Sequence, residues 1–350
     1  MRLVTASSRE PIGVALLGYG YWGANLARNI RAASTLRLVG VVDPSEAQRH
    51  AASSAHGDIA TWSSLAEALT DPDVEAVVIA APAALHAALA TEALEQGRHV
   101  MVEKPLATEP ADAERLVVLA GAAGLIAMVG HTFLYSSPVT RLKDYVDSGD
   151  LGAVQYLYSQ RLSLGRIRRD CNALWNFAPH DVSIMLYLLG ERPVEVSATS
   201  LTLIGPEMAD VFFAHLVFPS GVGAHLHVSW IDPRKQRLVT VVGDRKMAVY
   251  DDVSVDQKLL IVDAGVARGG DFGEYQSLGD FQWRTRAGDI LIPKVEMTEP
   301  LRNEMEAFGL SCQTGEAPLT DARHGADVVA ILAAIDESAR RRGSAVELAW

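Results

Sequence analysis

The sequence predicts an N-terminal α/β domain with a doubly wound parallel sheet, followed by an α+β C-terminal domain with a large, mostly antiparallel open sheet. The chain has 350 residues, which is enough to build two hydrophobic cores. Apolar runs alternate with helical segments in the first third, whereas alternating apolar and polar residues dominate after about residue 130. We therefore predict domains at 1–130 and 131–350.

Five near-continuous apolar runs in the first domain are typical of parallel strands that are covered on both faces. They occupy residues 12–17, 38–42, 76–81, 99–102 and 125–129. Four helical segments lie between them: after Gly23, from the capping box at 64–67, over 85–96 and from about residue 108. In the capping box, we expect the Ser64 hydroxyl and the Glu67 carboxylate to satisfy free amide groups reciprocally.

The second domain begins with a helix that Ser137 and Pro138 open. Strands with period-two alternation follow at 154–162, 194–201, 211–218, 222–230, 237–242 and 246–250, and a hairpin turn is predicted at 218–222. Helices are predicted at 175–189, 300–313 and 321–341.

The composition excludes several classes of partner. The formal net charge is −12, so nucleic acid and anionic membrane surfaces are not expected partners. No stretch has the pattern of a membrane span, and the opening residues lack the apolar core of a signal peptide, so we expect a cytoplasmic protein. The two cysteines, Cys171 and Cys312, form neither a disulfide framework nor a metal motif, and we predict no metal site.

A glycine-rich loop predicts a dinucleotide site. Residues 18–23 read Gly-Tyr-Gly-Tyr-Trp-Gly, which matches G-x-G-x-x-G between an apolar strand and a helix. Gly18 permits the tight turn, Gly20 lets the backbone approach a pyrophosphate, and Gly23 lets the helix pack closely on the strand. The free amide groups of the helix N-terminus bind phosphate oxygens. The first domain is therefore predicted to be a Rossmann domain, with Tyr21 and Trp22 among its cofactor-binding residues.

An acidic residue at the end of the second strand favours NAD over NADP. Asp43 lies twenty residues after Gly23, where a carboxylate accepts hydrogen bonds from the ribose hydroxyls and would repel a 2′-phosphate. No arginine follows it immediately.

A lysine follows another predicted strand at the same sheet edge. In Glu103-Lys104-Pro105, Lys104 can donate a hydrogen bond to a substrate oxygen beside the nicotinamide and stabilise alkoxide character there. By itself, this pattern also fits a surface lysine after a strand.

The motifs together resemble a known family. The glycine loop, Asp43, Glu103-Lys104-Pro105 and His180-Asp181 occur in the order found in the glucose–fructose oxidoreductase/inositol dehydrogenase (Gfo/Idh/MocA) family, and the resemblance covers essentially the whole chain. It implies that Lys104 is catalytic, that Pro105 fixes the turn, often through a cis peptide, and that Pro82, His86 and Glu103 line the cofactor groove.

The resemblance also implies that His180 is the base that takes the hydroxyl proton as hydride leaves carbon. The alternative from the residues alone is a histidine that packs or caps near a helix N-terminus. The family usually has an aspartate one helical turn earlier, where this chain has Asn176. An amide orients a hydroxyl but does not raise a histidine pKa as a carboxylate does.

Four segments narrow the substrate prediction. Residues 18–23, 130–136, 161–166 and 292–294 resemble nucleotide-sugar 3-dehydrogenases, which act on UDP-N-acetylglucosamine or its uronate. Four arginines lie within residues 161–169 and would bind phosphate or carboxylate, although a solvated loop or a subunit contact is the alternative. The predicted substrate-binding residues are Lys104, Arg161, Arg166, Asn172, Trp175, Asn176 and His180.

Several histidines and alternatives remain open. His131 fits either a place beside the nicotinamide or a buried structural position, whereas His215, His225 and His227 fit sheet positions.

The leading function is NAD-dependent oxidation of a secondary hydroxyl, at C3 of a nucleotide sugar. The alternatives are a free sugar or inositol dehydrogenase, a glycosidase that uses NAD transiently, and a non-catalytic NAD-binding regulator. The resemblance further implies a homodimer or homotetramer that packs through the open sheet face.

Overall fold

The computed structural model describes residues 10–165, 167–205, 208–267 and 284–350. The chain forms two compact units. The first contains the chain up to Ser136 together with Thr298–Ala330, and the second contains Ser137–Met297 and Ile331–Trp350.

The first unit contains a six-stranded parallel sheet with strand order β3-β2-β1-β4-β5-β6. This is the order of doubly wound dinucleotide-binding sheets, so the predicted fold class of this domain is confirmed. The strands are β1 Ile12–Leu17, β2 Leu36–Val42, β3 Ala60–Trp62, β4 Ala76–Ile79, β5 His99–Glu103 and β6 Ala127–Gly130. Strand β3 was not predicted, because three residues are too few to show a periodicity.

Six helices flank this sheet: α1 Tyr21–Ala32, α2 Glu46–His56, α3 Leu65–Leu69, α4 His86–Glu95, α5 Pro110–Ala123 and α8 Pro300–Thr314. Helix α2 was not predicted, because it buries only Ala52 and so has little apolar pattern. The capping box of α3 forms in part. Ser64 accepts the Glu67 amide, but the Glu67 carboxylate accepts the Ser63 amide instead of that of Ser64.

The last two helices explain why the unit boundary differs from the predicted one at residue 130. Helix α8 buries Leu301, Met305 and Phe308 in the same core as Leu16 and Leu36 of the first unit. The core of the first unit is therefore completed by a segment that the sequence assigned to the second domain. The division between units then falls within the last helix, α9 Ala322–Arg340.

The second unit contains a nine-stranded sheet with strand order β14-β13-β12-β11-β7-β10-β9-β8-β15 in the described residues. All neighbours are antiparallel except β7 and β10, so the predicted, mostly antiparallel sheet is confirmed. Its strands are β7 Val154–Leu164, β8 Glu195–Leu201, β9 Val211–Val217, β10 Gly223–Ser229, β11 Ile231–Gly243, β12 Met247–Asp251, β13 Leu259–Ala267, β14 Arg284–Leu291 and β15 Val346–Glu347. The last three were not predicted.

Two further helices, α6 Ser137–Asp147 and α7 Ala173–Leu189, belong to this unit. Helix α7 packs on β7, β9 and β10, and alternate residues such as Leu157, Leu216 and Leu226 are buried. The residues between them lie on the other face, where the Phe213 ring stacks on the His227 ring at 4.4 Å. His215 and His225 are neighbours across β9 and β10, so all three of these histidines lie on strands as predicted.

No helix in the described parts of the chain is both long enough and apolar enough to cross a membrane.

Candidate active site

The glycine loop forms a cradle between β1 and α1. Gly18 has φ +89°, and a Cβ atom there would lie 2.7 Å from the Ala80 carbonyl oxygen. A Cβ atom on Gly23 would lie 2.0 Å from the Gly18 carbonyl oxygen, so both positions require glycine. By contrast, a Cβ atom on Gly20, the N-cap of α1, would meet nothing within 4 Å. Open space in front of a helix N-terminus fits a pyrophosphate, so these residues suit a dinucleotide.

Asp43 lies at the loop, at the end of β2. Its Oδ2 accepts the Tyr19 amide and its Oδ1 accepts the Ser45 amide, each at 2.9 Å. The carboxylate is almost fully buried, with the residue 8% exposed. Two backbone donors therefore fix the orientation of the acidic group at the position that was predicted to contact a ribose.

Glu103 joins the end of β5 to the glycine loop. The Trp22 indole Nε1–H donates to the Glu103 carboxylate, and the Lys104 amide donates to Glu103 Oε2 at 3.3 Å. Burial raises the pKa of Glu103, although the Trp22 hydrogen bond and the Lys104 charge oppose this rise. The Lys104–Pro105 peptide is cis, as the resemblance implied. The structure thus brings Lys104 and the cofactor loop to one edge of the sheet.

His86 has a different position from the predicted one in the cofactor groove. It is 2% exposed, and its ring nitrogens lie 2.7 Å from the Pro105 carbonyl oxygen and 2.9 Å from that of Ala81. Burial is the main cause that lowers the His86 pKa. The two carbonyl groups follow β5 and β4, which are adjacent strands. The buried imidazole therefore holds the turns after these two strands together. Pro82, which follows Ala81, is exposed, and so is Tyr21 at the start of α1.

A buried polar cluster behind Lys104 was missed by the sequence analysis, apart from His131. His131 is 1% exposed, and its ring meets the His324 ring edge-on at 5.5 Å. Burial lowers the pKa of both histidines, that of His324 to about 4. Of the two alternatives, the structure thus supports the buried position for His131. Glu304 is fully buried and accepts the Thr132 hydroxyl at 2.8 Å.

Glu304 did give a signal in the sequence. It occupies the apolar face of α8 with Leu301, Met305 and Phe308, where a carboxyl group is unusual.

Arg161 in the second unit is a correction to the predicted substrate site. Its Nε donates to Asp181 Oδ2 at 2.5 Å and its Nη2 to Oδ1 at 3.3 Å, while the Ser159 hydroxyl also donates to Oδ1. Arg161 is 6% exposed and Asp181 is 1% exposed. The strand alternation turns Arg161 toward α7, so its guanidinium binds a buried carboxylate instead of lining a cavity.

Asn172, which was also predicted to bind substrate, has a structural role in this unit. Its Oδ1 accepts the Trp175 amide at 3.1 Å, which makes it the N-cap of α7, and its Nδ2 donates to Asp336 at 3.1 Å. The side chain therefore fixes the start of the helix that carries the other predicted site residues. Trp175 and His180 are both half-buried on this helix.

A cavity of about 710 Å³ opens beside the N-terminal part of α7. The lining residues are Ser163, Gly165, Ile167, Arg168, Arg169, Asp170, Asn176 and Phe177. Arg168 forms a bidentate ion pair with Asp170, in which Nε donates to Oδ1 at 2.8 Å and Nη2 donates to Oδ2 at 2.5 Å. Asn176 is four residues before His180, so the two share a helix face. The prediction for Arg166 falls outside the described residues.

Comparison with known proteins follows the same two-part division. The model of an oxidoreductase family with an NAD-binding Rossmann fold, Gfo/Idh/MocA, matches residues 12–131, and the C-terminal domain model of that family matches residues 139–249. The chain spans about half the length of the first curated relatives that it matches.

Two curated relatives illustrate the range of chemistry. A 2,7-anhydro-N-acetylneuraminate hydratase from Mediterraneibacter gnavus is 31% identical over 199 residues, covering 54% of this chain and 52% of the relative. A UDP-N-acetylglucosamine 3-dehydrogenase from Acidithiobacillus ferrooxidans is 27% identical over 237 residues, covering 67% and 72%. The solved structure of GenD2 from gentamicin A biosynthesis, in complex with NAD, has a TM-score of 0.80 at 23% identity and covers 99% of this chain and 98% of that one. This last similarity concerns the fold alone.

Proposed function

The chain belongs to the Gfo/Idh/MocA oxidoreductase family, and on that premise we propose that it is an NAD-dependent dehydrogenase that oxidises a secondary hydroxyl of a nucleotide sugar to a ketone. The observation that carries the proposal is the hydrogen-bonded link from Trp22 through Glu103 to Lys104. It joins the cofactor loop to the backbone of Lys104 at the carboxyl end of β5, where a cation can act on a substrate oxygen beside bound nicotinamide.

The cofactor-binding residues are the glycine loop and Asp43. The loop amides and the N-terminus of α1 bind the pyrophosphate, and the Asp43 carboxylate accepts a ribose hydroxyl. Bound NAD supplies the acceptor for the hydride that leaves the carbinol carbon. The acidic Asp43 disfavours a 2′-phosphate, which supports NAD over NADP.

Lys104 and His180 have different proposed roles at the substrate oxygen. The Lys104 ammonium group donates a hydrogen bond to that oxygen and stabilises its alkoxide character. The His180 imidazole takes the hydroxyl proton. Asn176 shares a helix face with His180, and its amide orients the hydroxyl group. Because an amide carries no charge, Asn176 does not stabilise a protonated His180 as an aspartate at this position would.

The cavity beside α7 supports an anionic substrate. Arg169 offers a guanidinium group for a diphosphate, and the flat ring of Phe177 suits a nucleobase or a sugar face. A volume of about 710 Å³ is in the ordinary range for a small-molecule site. We assign nucleotide-sugar binding to this cavity, with C3 as the oxidised carbon.

One observation favours a second candidate, a free sugar or an inositol. Asp170 neutralises Arg168, so Arg169 is the one cavity arginine for which the described residues give no ion pair. A cavity in which the described residues leave one arginine outside an ion pair also suits an uncharged polyol.

The test of this proposal is NADH formation by the purified protein with a panel of UDP-sugars, free sugars and inositols. We expect turnover with a UDP-sugar and a loss of at least about 100-fold in kcat for Lys104→Met, with NAD affinity retained. Equal turnover by the Lys104→Met protein would overturn the role of Lys104. Turnover with inositol alone would select the second candidate.

We also propose a homodimer or homotetramer that packs through the face of the second sheet that α7 leaves uncovered. Aromatic pairs on this face support the proposal: Tyr156 stacks on Tyr158, and Phe213 stacks on His227. Light scattering of the purified protein should give the mass of two or four chains. Replacement of Phe213 by lysine should shift that mass toward one chain, and a monomeric wild-type protein would contradict the proposal.

A further inference from the structure

Two carboxyl groups lie on either side of a short buried segment of the first unit. The Glu103 carboxylate lies against Gly130, where an added Cβ atom would be 3.1 Å from Oε2. Two residues later, the Thr132 hydroxyl donates to Glu304 Oε2 at 2.8 Å. Glu304 is fully buried. Both carboxyl groups therefore lie beside the same buried segment, Glu103 partly buried and Glu304 fully buried, and two negative charges there would repel each other.

The number of donors differs between the two groups. Glu103 accepts the Trp22 indole N–H and the Lys104 amide, and it also feels the positive charge of Lys104. Glu304 accepts the Thr132 hydroxyl, and no described residue donates to its Oε1. Since donors and nearby cations stabilise an ionised carboxylate, the negative charge favours Glu103 and the proton favours Glu304.

We propose that Glu304 is a positioning residue that holds the proton of this carboxyl pair, so that Glu103 alone is ionised beside Lys104. Burial and the Glu103 carboxylate both act in this direction and raise the pKa of Glu304 well above its ordinary value. The catalytic consequence rests on the proposed function. A second negative charge near Lys104 would weaken the stabilisation of alkoxide character by its ammonium group.

Among the described residues, the other titratable groups near this pair are Tyr135, two histidines, Lys104 and Asp321, whose carboxylate acts on Tyr135 and His324. Tyr135 lies near Glu304, and burial is the main cause that raises its pKa, with a smaller contribution from Glu304. His131 and His324 have pKa values lowered mainly by burial, so both imidazoles are neutral at the pH values of the test. Lys104 supplies the cation. A difference between the wild-type protein and a Glu304 variant therefore isolates the titration of Glu304.

The first experiment observes the proton directly. The infrared difference spectrum between the wild-type protein and Glu304→Gln at neutral pH should contain the carbonyl band of one protonated carboxylic acid. A carboxylate band in its place would overturn the proposal. This measurement needs neither substrate nor turnover, so its outcome is independent of the proposed function.

The second experiment follows stability against pH. The pKa of Glu304 is raised in the folded state, so its favourable contribution is fully present below the unfolded value of 4.5 and is lost as pH rises through the folded value. The glutamine of Glu304→Gln is uncharged at every pH, so the variant does not lose stability in this way as pH rises. We expect Glu304→Gln to gain Tm relative to the wild type between pH 6 and pH 9, by roughly 3 °C for each unit of pKa shift that is expressed. A constant difference across this range would contradict the proposal.

The third experiment separates positioning from simple structural support. The wild-type kcat/KM should fall at alkaline pH as Glu304 ionises, and Glu304→Gln should retain its kcat/KM to higher pH. The exposed residue Glu95 provides a matched control, since Glu95→Gln should leave both the pH profile and Tm as in the wild type. Glu304→Met, which is neutral but accepts no hydrogen bond from Thr132, should show the same extended profile even if its Tm is lower. Profiles identical to that of the wild type in both Glu304 variants would overturn the proposal.

Discussion

Replacement of Arg161 by methionine should destabilise the second unit strongly, because it would leave the Asp181 carboxylate buried without its cation. Asp181 is 1% exposed, and its carboxylate accepts two hydrogen bonds from the Arg161 guanidinium group, with N···O distances of 2.5 and 3.3 Å. After the change, the Ser159 hydroxyl would be its remaining side-chain donor among the contacts described. Methionine fills much of the same space, so the effect reports the lost charge more than a lost volume.

The expected magnitude follows from this burial. Removal of one partner from a buried ion pair destabilises a protein by about 3–5 kcal/mol. For a folding unit of this size, each kcal/mol corresponds to roughly 2–4 °C in Tm. We therefore expect Tm to fall by about 6 °C or more in thermal denaturation, with a matching decrease in the urea midpoint.

A double-mutant cycle provides the control. Asp181→Asn removes the buried negative charge, so the double variant Arg161→Met/Asp181→Asn should be more stable than Arg161→Met alone. The exposed pair of Arg141 and Asp144 gives the contrast, and Arg141→Met should change Tm by little because surface ion pairs contribute about 0–1 kcal/mol. An Arg161→Met protein with wild-type Tm, or one that loses only its affinity for an anionic substrate, would refute the structural role of Arg161.

Three further predictions concern the ligands. Gly23→Ala should weaken NAD binding at least about 10-fold in calorimetry, because its Cβ atom would lie 2.0 Å from the Gly18 carbonyl oxygen and distort the loop. Asp43→Asn should raise the use of NADP relative to NAD by roughly 10-fold in kcat/KM, since the repulsion of a 2′-phosphate is removed; an unchanged ratio would contradict the role of Asp43. Arg169→Ala should raise KM for a UDP-sugar about 10-fold with little change in kcat, because a charge-assisted hydrogen bond contributes about 1.5–3 kcal/mol. An equal rise in KM for an uncharged polyol would contradict the role of Arg169 in binding an anion.

The fold and the cofactor loop were predictable because their signals are local. The glycine spacing between β1 and α1 sets the turn by itself, and apolar runs of four or more residues reveal parallel strands. Asp43 was identified as a candidate ribose contact because it lies twenty residues after Gly23, at the end of a predicted strand. Short or interrupted strands, such as β3 and β15, lack this signal.

The errors at the site arose from long-range pairing. Arg161 looked like part of a basic loop, yet strand alternation with Leu157 and Ser159 turns it toward Asp181 on α7. Asn172 was predicted to bind substrate, and its position before α7 also makes it the N-cap of that helix. The position of Glu304 on the apolar face of α8 marks it as unusual, but its role depends on Glu103 and Thr132, which are far away in the chain.

The measurement that tests the central claim most directly is mass spectrometry of the products after incubation with NAD and UDP-sugars. Detection of the sugar avoids dependence on free NADH, which a tightly held cofactor would not release. The account predicts a product two mass units lighter than one UDP-sugar, and its loss in the Lys104→Met protein. An unchanged sugar panel, from a protein that binds NAD, would contradict the assignment of nucleotide-sugar oxidation.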